Sequence, residues 1–395
     1  MTSHACDVLV VGGGIIGLTA AWRALAAGAT VTVLDPAPGD GATRAAAGML
    51  APVMEAGFGQ SGLTRLGTES LALWPRFARS LEQAAGLPPG AIGLDRTGTL
   101  ALAYDGDDLA ELRRMLALHR EWGLGSVEIS PDDARLREPA VGPRVAGAAW
   151  VPGDHQADPR AVHAALSAVV DAAPAARLVR RAATALTWVD GAVVGVSDDA
   201  GERHAAGTVV LAAGFSSGEL FPGAPTRAVP GTTLRLDVGP ELTSGLVVRG
   251  TVQGRPVYVV PRRQRADGRR EVVVGATSDE RDDDRLTRYA DVFTLLRDAR
   301  ALLPALDDAV FVEATTRSRP GTPDNAPLLG WAADGLLLAT GHHRNGVLLA
   351  PLTAAVVDHL LGGAPGAAVP GAALEAAVLL ADPHRFARTT QGVAR

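Results

Sequence analysis

The chain has 395 residues, 47% of them hydrophobic and 20% charged, which is the balance of a folded protein with two or three domains. Its 37 basic residues are all arginine and face 43 acidic ones, a net charge of −6 that disfavours binding to nucleic acid or anionic membranes. The lack of lysine excludes Schiff-base and P-loop chemistry. The one cysteine, Cys6, excludes an intramolecular disulfide and a cysteine-ligated metal cluster. No apolar run reaches the ~20 residues of a membrane span and no secretion signal is visible, so we expect a cytoplasmic protein without a membrane span.

The first 35 residues predict a strand–helix–strand unit. A continuous apolar run at residues 7–11 precedes Gly12, Gly14 and Gly17, and an Ala/Leu-rich helix follows them. A second apolar strand then ends at Asp35. In this context the glycine spacing is the dinucleotide-binding fingerprint, with a tight turn at Gly12, close approach to a pyrophosphate at Gly14 and close helix packing at Gly17. Asp35 is placed to accept hydrogen bonds from ribose hydroxyls.

The remaining elements alternate between helix-rich and strand-rich stretches, which predicts interleaved domains rather than consecutive ones. Helices are predicted at 65–85, around 109–119, from Asp158 onward, at 290–303 and at 346–361. Strands are predicted at 97–103, within 178–196, at 208–212, in a hairpin of 257–260 with 271–274, and at 335–340. The tail after residue 362 is rich in Ala, Gly and Pro, and we expect it to be loosely held.

A run of small residues follows the second strand, at residues 43–52. Small side chains allow backbone N–H groups to approach a flat ring closely, as the N5 and O4 edge of a flavin requires. A small-residue helix start explains the same run, and an NAD-linked dehydrogenase would share the glycine fingerprint. The residues alone therefore leave the choice between FAD and NAD open.

Seven motifs, taken together and in order, resemble the FAD-dependent D-amino-acid oxidase superfamily, and within it the glycine oxidases of the thiamine-biosynthesis type. The resemblance covers residues 8–361. The motifs are GGGIIG (12–17), AAAGMLAP (45–52), VVLAAGFSSGEL (209–220), VYVVPR (257–262), VVVGATS (272–278), RPGTPDNAPLLG (319–330) and TGHHRNGVLLAP (340–351).

The resemblance implies an α/β fold in which a Rossmann-like FAD-binding domain is interleaved with an antiparallel β-sheet substrate domain (an α+β part). The implied boundaries are 1–85, 145–225 and 315–365 for the FAD-binding domain, 86–144 and 226–314 for the substrate domain, and 366–395 for a C-terminal tail.

It also implies non-covalent FAD, since Cys6 lies apart from the motifs of relatives that bind flavin covalently. The closing motif would begin the last helix at the flavin, with its N-terminal dipole facing the ring; a helix N-cap explains Asn345 equally well. The implied cofactor contacts are Gly12, Gly14, Ile15, Ile16, Gly17, Asp35, Thr43, Arg44, Ala47, Gly48, Met49, Thr184, Gly214, His342, His343, Arg344, Asn345, Gly346, Val347 and Leu348.

Four residues are implied at the substrate. Arg319 precedes a stiff Pro-Gly-Thr loop and would hold an amino-acid carboxylate bidentately. Arg344 matches a second position near the substrate, although a flavin-side or structural contact fits it too. Tyr258 would offer its hydroxyl to the carboxylate, and Met49 would restrict the size of the substrate; packing in a strand or in the core explains these two as well.

The implied reaction is oxidation of glycine, or of sarcosine or a small D-amino acid, by hydride transfer from Cα to flavin N5. No side-chain base is needed once the ammonium proton is lost, and hydrolysis of the imine gives glyoxylate and ammonia. Oxygen is the expected acceptor, with hydrogen peroxide as its product. Thiamine thiazole synthesis is the expected pathway, and relatives imply a homotetramer. No metal site is expected, because the histidines lack ligand spacing.

Two departures from the family pattern bear on the pocket. Residues 229–232 (VPGT) stand where many relatives carry a Lys/Arg-Gly-Gln segment, and His343 stands where an aromatic residue is common. Sarcosine-oxidase relatives place a lysine beside the flavin for the reaction with oxygen, and this chain has none. A dehydrogenase with another electron acceptor and a non-catalytic flavin-binding subunit stay open as alternatives. A pyridine-nucleotide reductase is disfavoured, because one Gly-x-Gly-x-x-Gly pattern, that at residues 12–17, stands between a predicted strand and a predicted helix.

Overall fold

The computed structural model describes residues 5–240, 244–281, 285–362 and 379–386. The strands are β1 (Cys6–Val11), β2 (Val31–Leu34), β3 (Met49–Leu50), β4 (Thr99–Ala103), β5 (Val127–Ile129), β6 (Gly147–Val151), β7 (His155–Gln156), β8 (Ala176–Val179), β9 (Ala183–Val189), β10 (Ala192–Asp198), β11 (Arg203–Leu211), β12 (Arg227–Val238), β13 (Val247–Val252), β14 (Arg255–Pro261), β15 (Arg270–Gly275), β16 (Val310–Gly321), β17 (Leu328–Ala333) and β18 (Leu336–Thr340). The helices are α1 (Ile15–Ala26), α2 (Ala42–Ala45), α3 (Ser61–Ala84), α4 (Gly106–Glu121), α5 (Pro131–Arg137), α6 (Pro159–Ala172), α7 (Ser217–Leu220), α8 (Tyr289–Leu302) and α9 (Ala350–Leu360).

The first sheet has the order β17-β18-β11-β1-β2-β8, and its neighbours from β18 to β8 run parallel. Its central strands are apolar on both faces, as a sheet covered on both sides requires. Helices α1, α3, α6 and α9 cover one face, and the β9–β10 hairpin with α7 contributes to the packing of the other. This is the predicted Rossmann-like arrangement, and the predicted βαβ unit at its centre is confirmed.

The second sheet has the order β16-β12-β15-β14-β13-β4-β6-β5 and is antiparallel except where β13 meets β4. The predicted hairpin is confirmed, with Val259 opposite Val274 in β14 and β15. Helix α8 packs Leu295 and Leu302 against this sheet. Strands β6 and β16 both belong to it, so the second sheet extends past the boundaries expected at residues 145 and 315.

The last helix begins at Ala350, four residues later than predicted. Residues 346–349 form turns instead, because Pro351 has no N–H to donate to the Val347 carbonyl and its ring would collide with that carbonyl in a continuous helix. Pro351 lies in the first turn, where its missing N–H costs nothing. The Asn345 side chain does not cap this helix; its backbone carbonyl accepts from Leu349 N at 2.8 Å.

The described part of the predicted tail is packed rather than loosely held. Leu329 N donates to the Ala381 carbonyl at 2.8 Å, and Arg385 pairs with Asp324 at 2.8 Å. The rest of the predicted tail lies outside the described residues. Within the described ranges, no helix is both long and apolar enough to cross a lipid bilayer.

Candidate active site

A cavity of about 700 Å³ lies between the two sheets. At one end it is lined by the loop after β1 and by Asp35, at the end of β2. The other end is lined by Tyr258 and Arg319 of the second sheet and by the segment 339–348 after β18. The cavity therefore begins at the carboxyl ends of parallel strands, where open α/β sheets bind their ligands.

The three fingerprint glycines differ in what an added side chain would meet. A Cβ at Gly12, where φ is 110°, would collide with the Ala212 carbonyl, and one at Gly17 would collide with the Gly12 carbonyl. A Cβ at Gly14 would meet only Thr43 Oγ1, at 3.4 Å, which is an ordinary contact. Packing thus explains Gly12 and Gly17, whereas Gly14 leaves space at the wall of the cavity.

Asp35 lines the cavity, and both of its carboxylate oxygens already accept hydrogen bonds from backbone N–H groups. Oδ2 accepts from Gly13 N at 2.5 Å, and Oδ1 accepts from Ala37 N at 2.7 Å. Each oxygen keeps a second lone pair. Asp35 therefore fixes the glycine loop and can still accept from ribose hydroxyls, as the sequence predicts.

The small-residue loop is held by the second sheet. Thr233 Oγ1 donates to the Ala45 carbonyl at 3.0 Å, and the buried Arg262 donates Nη2 to the Ala47 carbonyl at 2.7 Å. Ala47 and Gly48 line the cavity. Gly48 has a φ of 83°, and a Cβ there would lie 2.7 Å from Pro159 Cδ. The loop is thus shaped by contacts from distant parts of the chain.

Every predicted cofactor residue except Arg44 lines the cavity, including Thr184 and Gly214. Arg44 points away, with Nη2 3.7 Å from a Glu313 oxygen, because its neighbours Thr43 and Ala45 occupy the wall. Its predicted role as a cofactor contact is therefore not supported by its position.

The two histidines of the closing motif are held by different partners. His342 Nε2 lies 3.0 Å from Thr353 Oγ1, and His343 N donates to the Pro320 carbonyl at 2.9 Å. Burial lowers the pKa of His342 to about 3. Burial, assisted by Arg344 and Arg319, lowers the pKa of His343 to about 4. Both rings are therefore uncharged at neutral pH.

Arg319 is half-buried at the end of the cavity that the second sheet forms. Its Nη1 donates to the Thr277 carbonyl at 3.2 Å, and it has no ion-pair partner among the residues that the structure describes. Its guanidinium lies over Gly231 of β12, where a Cβ would come within 2.5 Å of Cζ. Gly231 belongs to the segment VPGT (residues 229–232), which departs from the family pattern. That departure could have identified Gly231 as a residue of the site. Tyr258 lines the same end; burial raises the pKa of its hydroxyl, so it stays protonated.

Glu55 and Arg249 are two site residues that the sequence analysis missed. They form a short, half-buried ion pair, and Arg344 Nε lies 3.9 Å from the other Glu55 oxygen. Burial raises the pKa of Glu55, but Arg249, Arg344 and Arg319 outweigh that effect and hold the pKa at about 2. Asp154 anchors the turn before Glu55, accepting from Val53 N and Met54 N at 3.2 Å. Glu55 is the one charge within residues 45–57, a signal that could have identified it.

Arg317, two residues before Arg319 on β16, also lines the cavity and was missed. Its Nε donates to the Asp40 carbonyl and its Nη2 to Asp40 Oδ1, both at 2.6 Å. This contact ties the second sheet to the loop between β2 and α2. Strand β16 thus contributes two arginines to the cavity wall, Arg317 near Asp40 at one end and Arg319 near Tyr258 at the other.

Comparisons with known proteins agree with this geometry. A family model described as FAD dependent oxidoreductase (DAO) matches residues 7–360. The chain belongs to the DAO family of FAD-dependent oxidoreductases. It is 31% identical to glycine oxidase from Geobacillus kaustophilus over 371 residues, which is 91% of this chain and 93% of that protein. The crystal structure of glycine oxidase from that organism superposes with a TM-score of 0.81, covering 91% of this chain and 95% of that one at 30% identity.

A longer relative in the family is the bifunctional protein ThiO/ThiG of Nostoc sp., which is 34% identical over 356 residues. The match takes in 90% of this chain but 52% of that protein, so the chain spans about half the length of this relative.

The cavity fits the cofactor of this family of FAD enzymes. The free space at Gly14, the backbone donors at the start of α1 and the acceptor oxygens of Asp35 suit a dinucleotide. The loop at residues 45–49 and the closing motif at 341–348 would hold the flavin, since both line the far part of the cavity. The sulfur of Cys6 contacts the Val8 and Ala205 carbonyls and is not part of the cavity lining.

Proposed function

We propose that this flavoenzyme catalyses the oxidative deamination of glycine, with sarcosine and small D-amino acids as further substrates. One observation carries the proposal: the guanidinium of Arg319, half-buried and without an ion-pair partner among the described residues, faces the same cavity as the dinucleotide fingerprint. A cation partly withdrawn from water favours an anion as its partner, and a planar guanidinium matches a carboxylate. The glycine oxidase and ThiO relatives support the choice of a small amino acid.

Arg319 would hold the substrate carboxylate by two parallel hydrogen bonds, and the protonated Tyr258 hydroxyl would donate a third. Met49 and Ala47, which contact the same apolar cluster as Tyr258, would limit the space around Cα. Bound FAD would supply the two-electron oxidant for the hydride that leaves Cα. The chain's own residues therefore act by positioning the C–H bond.

The charges of the site favour the neutral amine that the reaction needs. Arg249, Arg319 and Arg344 act together on the carboxylate of Glu55, and Asp279 adds a second negative charge near Arg319. This excess of positive charge lowers the pKa of a bound ammonium group, which then loses its proton to solvent. His342 and His343 are uncharged at neutral pH and are not required as bases.

Hydrolysis of the imine would give glyoxylate and ammonia, and oxygen would accept the electrons as hydrogen peroxide. We infer thiamine thiazole synthesis as the pathway from the ThiO relatives. We also propose a homotetramer, which light scattering tests, and a cytoplasmic location, which the single cysteine supports.

Anaerobic mixing with glycine, sarcosine and D-alanine tests the activity through the visible absorbance of oxidised flavin. We expect glycine to bleach the flavin at the lowest concentration, and air to restore the colour with formation of peroxide. Bleaching by another amine alone would replace the substrate, and recolouring by an artificial acceptor but not by air would indicate a dehydrogenase. Bound flavin that no amine bleaches would favour a non-catalytic subunit.

A further inference from the structure

A second, smaller cavity of about 90 Å³ adjoins the substrate end of the main cavity. We call it the side chamber. Its wall is shared with the main cavity through Glu55, Arg344 and three neighbours of Arg344 in the closing motif. Residues of α3 and its N-terminus, including Gln60 and Thr64, form part of the remaining wall. The space for a substrate therefore continues past Arg344.

The side chamber is polar where it meets Arg344. Gln60, Thr64 and Asn325 contribute side chains that can donate hydrogen bonds. The Oδ1 atom of Asn325 is buried without a hydrogen-bond partner in the described part of the chain. A half-turn about the last torsion of the amide exchanges oxygen and nitrogen, so Asn325 can present N–H groups to a bound anion. An apolar side chain would leave these groups unpaired.

The charges at the substrate end do not balance with glycine alone. Arg249 and Glu55 neutralise each other in their short ion pair. Arg319 has no ion-pair partner among the described residues, and Arg344 reaches only the already paired Glu55, at 3.9 Å. Glycine brings one carboxylate, and oxidised flavin has an uncharged ring. Arg344, whose side chain is 43% exposed and lines the side chamber, therefore keeps no anion at hydrogen-bond distance.

We propose that the site accepts small amines that carry two carboxylates, one held by Arg319 and the second held by Arg344 at the side chamber. The inference rests on the proposed amine oxidation and extends its substrate class. At ~30 Å³ for each water-sized volume, the chamber accommodates a group of about three heavy atoms, which is the size of a carboxylate. The second carboxylate is attached either to the nitrogen or to Cα, and iminodiacetate and D-aspartate represent the two cases.

The chemistry balances in both cases. Iminodiacetate, water and oxygen give glycine, glyoxylate and hydrogen peroxide: the oxidised C–H bond yields a hydride and the nitrogen a proton. Water then adds to the C=N bond, and the C–N bond breaks with glycine as the leaving amine. D-Aspartate, water and oxygen give oxaloacetate, ammonium and hydrogen peroxide by the same steps.

The test compares pairs of substrates that differ in the second carboxylate, in the FAD-loaded enzyme. The pairs are iminodiacetate against sarcosine, and D-aspartate against D-alanine. We expect kcat/KM to favour the diacid in at least one pair by about tenfold, the effect of one charge-assisted hydrogen bond. Arg344→Gln should remove that preference. Arg113→Gln, which deletes an exposed arginine paired with Glu128, is the matched control and should leave it unchanged.

Three outcomes would overturn the inference. In the first, the wild type prefers sarcosine over iminodiacetate and D-alanine over D-aspartate. In the second, Arg344→Gln lowers kcat/KM for all four substrates by the same factor, which would assign Arg344 to the flavin. If Arg344→Gln loses FAD, Gln60→Leu replaces it as the test variant, because it alters the chamber alone. Gln60→Leu should lower the diacid preference several-fold, and an unchanged preference would be the third overturning outcome. Bleaching by glycine without any diacid preference leaves the proposed function standing, whereas no bleaching by any amine refutes both.

Discussion

Replacing Gly231 with alanine is expected to weaken substrate binding without unfolding the protein. A Cβ at this position would lie 2.5 Å from Cζ and Nη2 of Arg319, closer than any relaxed contact. The obstructing atoms are the far end of a flexible side chain, so the guanidinium moves and the backbone of β12 does not. Fold and FAD binding should therefore survive while the carboxylate clamp is displaced.

The size of the effect follows from the displacement. Relaxing a 2.5 Å contact to ~3.5 Å moves the guanidinium by about 1 Å, enough to break a two-point hydrogen bond. A hydrogen bond to a charged group contributes about 1.5–3 kcal/mol. At 1.4 kcal/mol per factor of ten, KM for glycine should rise by about 10- to 150-fold.

Steady-state peroxide formation measures KM and kcat, and the visible spectrum reports bound flavin. Gly125→Ala is the matched control, because a Cβ there meets nothing within 4 Å. It should behave as wild type. Arg319→Met should be at least as impaired as Gly231→Ala. A Gly231→Ala enzyme with full flavin content and an unchanged KM would refute the assignment of Arg319 to the carboxylate.

Three further predictions concern the cofactor and the stability. Gly14→Val should fold but purify without flavin, because its side chain would fill space at the wall of the cavity; a yellow variant would contradict the fingerprint. Heat or acid denaturation should release all FAD into the supernatant, since Cys6 lies outside the cavity lining, and flavin left in the pellet would indicate a covalent bond. Between pH 6 and 4 His342 takes up a proton in the unfolded chain but not in the folded protein, because burial lowers its pKa from 6.5 to about 3. As the pH is lowered through this range, this group should therefore decrease the free energy of unfolding by up to about 1.4 kcal/mol per pH unit. Urea titrations of His342→Gln, with FAD in excess, should lack that part of the slope, and an identical slope would contradict the assignment.

The sequence by itself determined the elements whose cause is local. The βαβ unit, the separate roles of Gly12 and Gly17, and the hairpin of β14 and β15 follow from apolar runs and glycine positions. These are short-range steric effects, so spacing along the chain expresses them. The family motifs added the residues that line the cavity, and Arg319 and Tyr258 both lie in that lining.

Tertiary structure alone decided which distant residues meet. Glu55 and Arg249 are 194 positions apart and pair because β13 lies opposite the turn that Asp154 holds. Arg319 lies over Gly231 because of the register between β12 and β16. Arg44 points away from a wall that its neighbours occupy. Such contacts depend on strand pairing between separate stretches of chain, which no local periodicity encodes.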